Sequence, residues 1–140
     1  MTPPLARLLV MAGRRLGDQL SERLEAKGWR DVPPPAGYVL LAARGGPTTG
    51  GEIAQALGMT KQSASKALDQ LERRGFIQRT SIPQDGRVRN VELTPRGREL
   101  LAVLEEIDLE LEREWAAVIG AEAVESMRAA LSRMLPEAPR

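Results

Sequence analysis

The feature that most constrains the fold is the run of residues 85–97, which reads DGRVRNVELTPRG. An Asp-Gly pair is a strong short-range signal for a tight hairpin turn, and the alternation that follows it, as far as Leu93, is typical of a half-buried strand. Thr94 followed by Pro95 fits a helix start, with threonine as N-cap and proline at the first helical position. The run therefore predicts a hairpin tip that carries two arginines, then a strand, then a helix.

The segment before this run predicts two short helices joined by a tight turn. Thr48 or Thr49 is a candidate cap for the first of them, and Gly58 ends it. Thr60 fits the N-cap of the second helix, which runs to about Arg74. Two short helices joined by three residues have the spacing of a helix-turn-helix.

Two strands and two long amphipathic ends complete the pattern. Residues 77–82 and 89–93 alternate sufficiently to form a hairpin with residues 83–87 at its tip. A helix is predicted from Leu5 to just before Gly28, and another from about Ala36, with three residues facing its core side: Tyr38, Leu40 and Leu41. After Pro95 a long helix carries one apolar stripe, and a last helix follows Gly120. The stripe consists of Leu100, Leu101, Leu104, Ile107, Leu111, Trp115 and Val118.

The expected fold is mainly α with a small β-hairpin wing, a winged helix-turn-helix dimerised through its N- and C-terminal helices. Residues 1–35 form the N-terminal dimerisation helix and connector, 36–98 the winged region and 99–140 the C-terminal dimerisation helices of one integrated domain. The terminal stripes are more extensive than the winged core can cover, so a second copy is the expected partner. The alternative is that these helices fold back on their own chain.

Composition excludes several classes of function. The 140 residues contain neither cysteine nor histidine, which removes thiol nucleophiles, imidazole bases, disulfides and zinc sites built on nitrogen or sulfur ligands. The chain also has no glycine-rich phosphate loop and no base that would activate a nucleophile, so we expect no enzyme, no metal and no cofactor. No apolar run approaches the roughly 20 residues of a membrane helix, and a cytoplasmic protein is the simplest interpretation.

The net charge of +1 conceals an asymmetry along the chain. Residues 1–59 hold seven basic and five acidic groups, residues 60–98 nine and four, and residues 99–140 four and ten. The basic middle segment is where a polyanion would bind, because a phosphate backbone responds to the local potential rather than to the total charge.

At this point the sequence resembles the MarR family of transcriptional regulators over nearly its whole length. The resemblance is carried by EIAQALGMTKQSASKALDQLERRGFIQR and by a wing with the spacing D-x-R-x-x-x-[VI]-x-L-T-x-x-G. The residues that match this spacing are Asp85, Arg87, Val91, Leu93, Thr94 and Gly97. The resemblance implies an obligate homodimer that places its recognition helices in successive major grooves of double-stranded DNA and its wings in the flanking minor grooves.

Carried onto this chain, the resemblance implies a set of DNA-binding residues. Arg87 would enter the minor groove, where arginine suits the negative potential, and Asp85 would orient Arg87 or cap the turn. Arg79 and Arg89 are candidate backbone contacts. The helix would contribute Thr60, which also caps it, together with Lys61, Gln62, Ser63, Ser65 and Lys66.

Plainer interpretations remain beside these. The polar residues of the helix would, in isolation, be ordinary solvated surface, and Asp-Gly is a common turn pair that need not touch DNA. Arg73 and Arg74 are expected to pair with Asp69, Glu72 or the wing rather than with DNA. A basic helix directly before a basic wing favours DNA binding.

Members of this family commonly bind a small-molecule effector between the dimer helices and the winged region. Trp29 and Tyr38 are candidates for lining such a pocket, although core packing is the favoured role for both. We therefore expect a repressor or regulator of MarR type that binds a short palindrome as a homodimer and has no membrane partner. The alternative is a winged helix that serves as a protein-interaction module without binding DNA.

Overall fold

The computed structural model describes residues 2–46, 48–82 and 85–135, with only the backbone described at residues 82 and 85–88. The chain divides into two compact units, Met1–Pro34 and Pro35–Arg140. Within the described ranges, no helix has the length and apolarity to cross a membrane.

The first unit contains one helix, α1 (Leu5–Ala26). It ends in a Schellman motif, in which Gly28 adopts a positive φ of 90° and the Trp29 amide donates to the Leu24 carbonyl at 2.9 Å. The helix therefore stops where the sequence predicts. Large apolar side chains of its first half are exposed, namely Leu5, Leu8, Leu9, Val10 and Met11.

The second unit contains five helices and a three-stranded sheet. The helices are α2 (Ala36–Ala43), α3 (Gly50–Leu57), α4 (Lys61–Arg73), α5 (Pro95–Ile119) and α6 (Ala121–Met134). The strands are β1 (Thr48–Thr49), β2 (Ile77–Ile82) and β3 (Asp85–Leu93), arranged in the order β1-β3-β2 with both pairs antiparallel. The helix-turn-helix and the hairpin are confirmed, but β3 begins at Asp85 and not at Arg89, so residues 85–87 belong to the strand and not to the tip. The sequence did not predict β1, whose two residues are too short for a periodic signal.

The core of this unit lies between the sheet and the helices around it. Its largest fully buried side chains come from helices α2 to α5, from strands β2 and β3, and from the residue before β2: Val39, Leu40, Ile53, Leu71, Phe76, Ile77, Val91, Leu100, Ile107 and Leu111. Helix α5 contacts α2, β3 and α6, so it connects the winged region to the C-terminal hairpin of helices.

One expectation about apolar faces, that for α2, was wrong, whereas the α5 stripe extends past the core as expected. The buried face of α2 is Ala36, Val39, Leu40 and Ala43, which have helical spacing, and Tyr38 and Leu41 lie outside it with exposed fractions of 63% and 53%. On α5 the buried stripe ends at Leu111. Trp115 is only half-buried and Val118 is 85% exposed, because the winged core does not extend that far along the helix.

A joint built around Phe76 connects α4, the sheet and α5. The Thr94 amide donates to the Phe76 carbonyl at 3.1 Å, and the Thr94 hydroxyl donates to the Gly75 carbonyl at 2.5 Å. The same hydroxyl accepts the Gly97 amide at 3.0 Å, which caps α5. A Cβ at Gly97 would collide with the Phe76 carbonyl. The L-T-x-x-G pattern is therefore a packing requirement of this joint.

We expect Gly97→Ala to destabilise the protein. The new methyl group must push apart the start of α5 and the Phe76 backbone, and overpacking of this kind costs about 1–3 kcal/mol. Thermal unfolding followed by circular dichroism at fixed protein concentration measures the effect. Gly37→Ala is the matched control, because a Cβ at this helical glycine meets open space. An unchanged melting temperature for Gly97→Ala would contradict the packing role.

Candidate nucleic-acid interface

Capping residues fix the geometry of the helix-turn-helix. Thr49 caps α3 by accepting the Glu52 amide at 3.1 Å, and Thr60 caps α4 by accepting the Ser63 amide at 3.0 Å. Between them Gly58 adopts the left-handed conformation, with φ of 63°, that lets the chain leave α3 and turn into α4. The predicted caps and helix stop are confirmed.

Helix α4 separates its residues sharply into a buried and an exposed face. Ala64, Ala67, Leu68 and Leu71 are buried, at exposed fractions of 4% or less. The predicted reading residues are all exposed: Thr60, Lys61, Gln62, Ser63, Ser65 and Lys66. The Thr60 hydroxyl also donates to the Ser63 hydroxyl at 3.0 Å, so these two side chains are already joined to each other. The face can present amide, hydroxyl and ammonium groups to a ligand.

The hairpin of β2 and β3 lies beside this helix. Arg89 is exposed and pairs in register with Ser81, next to an irregularity in the pairing between Ser81 and Ile82. The side chains of Arg87 and Asp85 lie outside the described residues, so their predicted roles stay predictions. The strand β3 that carries them places both positions at the distal end of the hairpin.

Arg79 does not lie where a DNA-backbone contact would require it. Its side chain is 10% exposed, and one guanidinium nitrogen, Nη2, lies 2.6 Å from Asp69 Oδ1 and 2.9 Å from Glu72 Oε1. Hydrogen bonding to Arg79 holds the pKa of Glu72 below its ordinary value, and the same bond raises the pKa of Arg79. The structure therefore corrects the interpretation of Arg79 as a backbone contact. Arg79 binds both Asp69 and Glu72, the carboxylates that were expected to pair with Arg73 and Arg74.

A cleft of about 370 Å³ lies between the start of α3, helix α4 and the sheet. Three of its described lining residues carry positive charge, Lys61, Arg79 and Arg89, which come from three different elements. The remaining lining residues are Thr49, Gly50, Gly51, Ala64, Ser65, Leu68 and Val91. Because Arg79 is paired with Asp69 and Glu72, the positive potential next to the exposed face of α4 comes from Lys61 and Arg89.

The sequence did not single out the start of α3 as part of this surface. Thr49, Gly50 and Gly51 line the cleft, and a Cβ at Gly50 would stand 3.1 Å from the Leu68 side chain of α4. The signal that could have indicated it is T-x-x-E at Thr49 and Glu52, which resembles a capping box. In the structure the Glu52 carboxylate instead accepts the Thr48 hydroxyl at 2.9 Å.

The effector candidates do not belong to this cleft. Tyr38 is exposed on α2 and Trp29 is half-buried in the first unit, and neither lines the cleft. Their role in binding an effector stays a prediction. Among the described residues, no group of three or more carboxylates is placed to hold a metal ion.

Comparison with known proteins shows what these elements are similar to. A family model described as MarR family matches residues 30–88, which cover α2 to the wing. The HTH-type transcriptional regulator PrsX of Escherichia coli is 30% identical over 93 residues, which are 66% of this chain and 56% of that protein. The chain therefore matches little more than half the length of this curated relative.

Solved structures extend the similarity to almost the whole chain. Apo MarR of E. coli is 25% identical, with a TM-score of 0.71 over 97% of this chain and 99% of that one. A cysteine-to-serine mutant of MarR complexed with operator DNA gives 0.79 at 25% identity, covering 95% and 94% of the two chains. The Staphylococcus aureus MepR–DNA complex gives 0.78 at 28% identity, covering 95% and 96%.

Proposed function

We propose that this chain is a transcriptional regulator of the MarR family that binds a short palindrome in double-stranded DNA as a homodimer, because its residues 30–88 match the model of that family and it resembles MarR and MepR over almost its whole length. One observation carries the proposal: the exposed polar face of α4 and the basic hairpin flank one cleft that cations from three elements line. A regulator of this kind acts on the chromosome, which places it in the cytoplasm. The chemistry of the surface is that of binding, since it brings together hydroxyl, amide and cationic groups and no nucleophile with a base.

Within the proposed complex, α4 reads the major groove. Gln62, Ser63 and Ser65 have the donor and acceptor groups that hydrogen-bond base edges, and Lys66 reaches guanine or phosphate. Lys61 and Arg89 face the cleft and supply backbone contacts, and Thr60 adds one at the start of the helix. Arg87 occupies the minor groove, where a narrow groove concentrates negative potential, and Asp85 orients it.

The homodimer is supported by the apolar surface that the terminal segments leave exposed. In the second unit, the end of α5 and the length of α6 expose large apolar side chains, namely Val118, Ile119, Met127, Leu131 and Met134. A two-fold dimer covers such surfaces on both copies and sets the two α4 helices about 34 Å apart, one turn of B-DNA. We assign residues 1–35 and 99–140 to dimerisation and residues 36–98 to DNA binding.

We expect Arg87→Ala to lower the affinity for the operator at least about tenfold, or 1.4 kcal/mol, while the fold stays intact. The reason is the loss of a cation from a groove of high negative potential. Fluorescence anisotropy with a labelled duplex measures affinity, and the melting temperature reports the fold. Arg113→Ala, which removes an exposed arginine from the acidic helix α5, is the control. Equal affinity of Arg87→Ala and wild type would refute the wing assignment.

Selection of bound sequences from random duplex DNA tests the proposed base contacts of α4. A two-fold motif is expected, and Gln62→Ala should relax the preference at particular base positions because one hydrogen-bonding side chain is lost. Ser65→Ala, one helical turn further along α4, is expected to relax the base preference in the same way. If Gln62→Ala weakens binding to all sequences alike, Gln62 is a backbone contact.

Salt separates DNA binding from the alternative of a protein-interaction module. Phosphate contacts release counterions, so affinity should fall steeply as salt rises. A module that binds only protein would select no DNA motif.

The dimer surface is best tested on α6. Leu111, a natural choice from the sequence, is fully buried in its own chain and would report on the core instead. Leu131→Arg places a charge on the exposed apolar face, and we expect it to convert dimers to monomers in light scattering after size exclusion. Ser132→Arg adds the same charge at the neighbouring exposed position and should leave the dimer intact. A dimer that persists in Leu131→Arg would exclude this face.

A further inference from the structure

Arg79 is a largely buried cation that binds two carboxylates, and the proposed DNA contacts leave it without a role. Its backbone amide donates to Glu72 Oε2 at 3.1 Å, and its Nη2 donates to Glu72 Oε1 at 2.9 Å and to Asp69 Oδ1 at 2.6 Å. Both oxygens of Glu72 are therefore bound by one residue of the hairpin. We call Arg79, Asp69 and Glu72 the clamp.

The clamp joins the two elements that the proposed function assigns to different grooves. Asp69 and Glu72 lie three residues apart on α4, hence on one side of the helix, in the turns that follow the reading residues. Arg79 lies in β2 and pairs with Val91 of β3, so it is tied into the middle of the hairpin. A displacement of the hairpin at Arg79 therefore acts on α4 through these hydrogen bonds.

The covalent connection alone would not fix the angle between these elements. The chain passes from α4 to β2 through Gly75, whose φ of 79° places it in the left-handed region and forms the turn. The Thr94–Phe76 hydrogen bond, the pairing of β1 with β3 and the burial of Ile77 and Val91 hold the hairpin against the core. The clamp lies several residues along the hairpin from Gly75 and adds directional hydrogen bonds between the hairpin and α4.

The ion pairs of Arg79 are a weak source of stability. Arg79 Nε is buried without a hydrogen-bond partner, whereas the Asp69 and Glu72 side chains are 53% and 36% exposed, and a solvent-exposed ion pair contributes little to the free energy of unfolding. Directional hydrogen bonds to two carboxylates, in contrast, define an orientation. We infer that Arg79 is a positioning residue, which sets the wing against α4 so that both grooves of one DNA site are engaged together. This inference rests on the proposed DNA-binding function.

The first experiment measures the contribution of the wing to affinity. The dissociation constant of each variant is measured for two duplexes. One is a selected duplex with its flanking minor-groove base pairs, and the other is the same duplex without them. The ratio of the two dissociation constants is the flank gain. We expect a gain of about tenfold for wild type, and below about twofold for Arg79→Met, with affinity for the trimmed duplex changed less than about twofold. Gln78→Met, an exposed neighbour on β2, should keep the full gain.

Combination with the wing variant distinguishes positioning from contact. If Arg79 acts only through the wing, adding Arg79→Met to Arg87→Ala lowers affinity no further. Independent multiplication of the two losses would overturn the inference, as would an equal loss on both duplexes. If Arg79→Met fails to fold, Glu72→Gln and Asp69→Asn each remove one acceptor charge from the clamp, and a partial loss of the flank gain is expected from both.

Hydrogen exchange without DNA tests the clamp separately. Amides of residues 77–82 and 85–93 should exchange faster in Arg79→Met than in wild type, while those of α4 stay unchanged. Unaltered exchange in the hairpin would overturn the positioning role even if DNA binding were intact. Failure of wild type to bind any duplex would refute the proposed function, and the exchange result would still decide the clamp.

Discussion

The burial of Phe76 is the constraint on which the winged region depends. The residue is fully buried, its amide donates to Leu71 at the end of α4, and its carbonyl accepts the Thr94 amide before α5. The Arg96 guanidinium covers the ring at 5.2 Å from its centroid, a cation–π contact worth about 0.5–1 kcal/mol at an exposed site. Phe76 thus contacts the end of α4, precedes the first residue of β2 and accepts a hydrogen bond from the N-cap residue of α5. The proposed reading head and the proposed dimer helix meet at this point, so displacement of one acts on the other.

Local signals predicted most of the winged region. Thr49, Thr60 and Thr94 cap the helices that follow them, and Gly58 and Gly75 end those that precede them, because caps and left-handed turns depend on residues close in the chain. These signals located α3, α4, the start of α5 and the strand β2. The local signals do not indicate a ligand, and the prediction that this fold binds double-stranded DNA came from the family resemblance.

The sequence predicted less well where distant contacts decide. Strand β1 has two residues, Thr48 and Thr49, which pair with Val91 and Asn90. The paired residues are about 40 positions apart in the sequence, so no local signal indicates the strand. Tyr38 looked like a core residue by its type and lies outside the face that α2 buries. The stripe of α5 continued past Leu111 in the sequence, yet the core of its own chain ends there. Periodicity indicates that a face is apolar but does not say which surface will cover it.

The arginines of the wing show why residue type alone does not assign a role. Arg79 and Arg89 lie on paired strands of one sheet and line the same cleft, yet one is 10% exposed and the other is exposed. The difference follows from α4, which places Asp69 and Glu72 where the Arg79 guanidinium reaches both, whereas Arg89 only adds to the positive field that lowers the pKa of Glu72. With its single positive charge, Arg79 offsets one of the two negative charges that Asp69 and Glu72 place on α4, which weakens the repulsion they would otherwise exert on phosphates. One residue thereby orients the proposed wing and lowers the negative charge of the surface beside it.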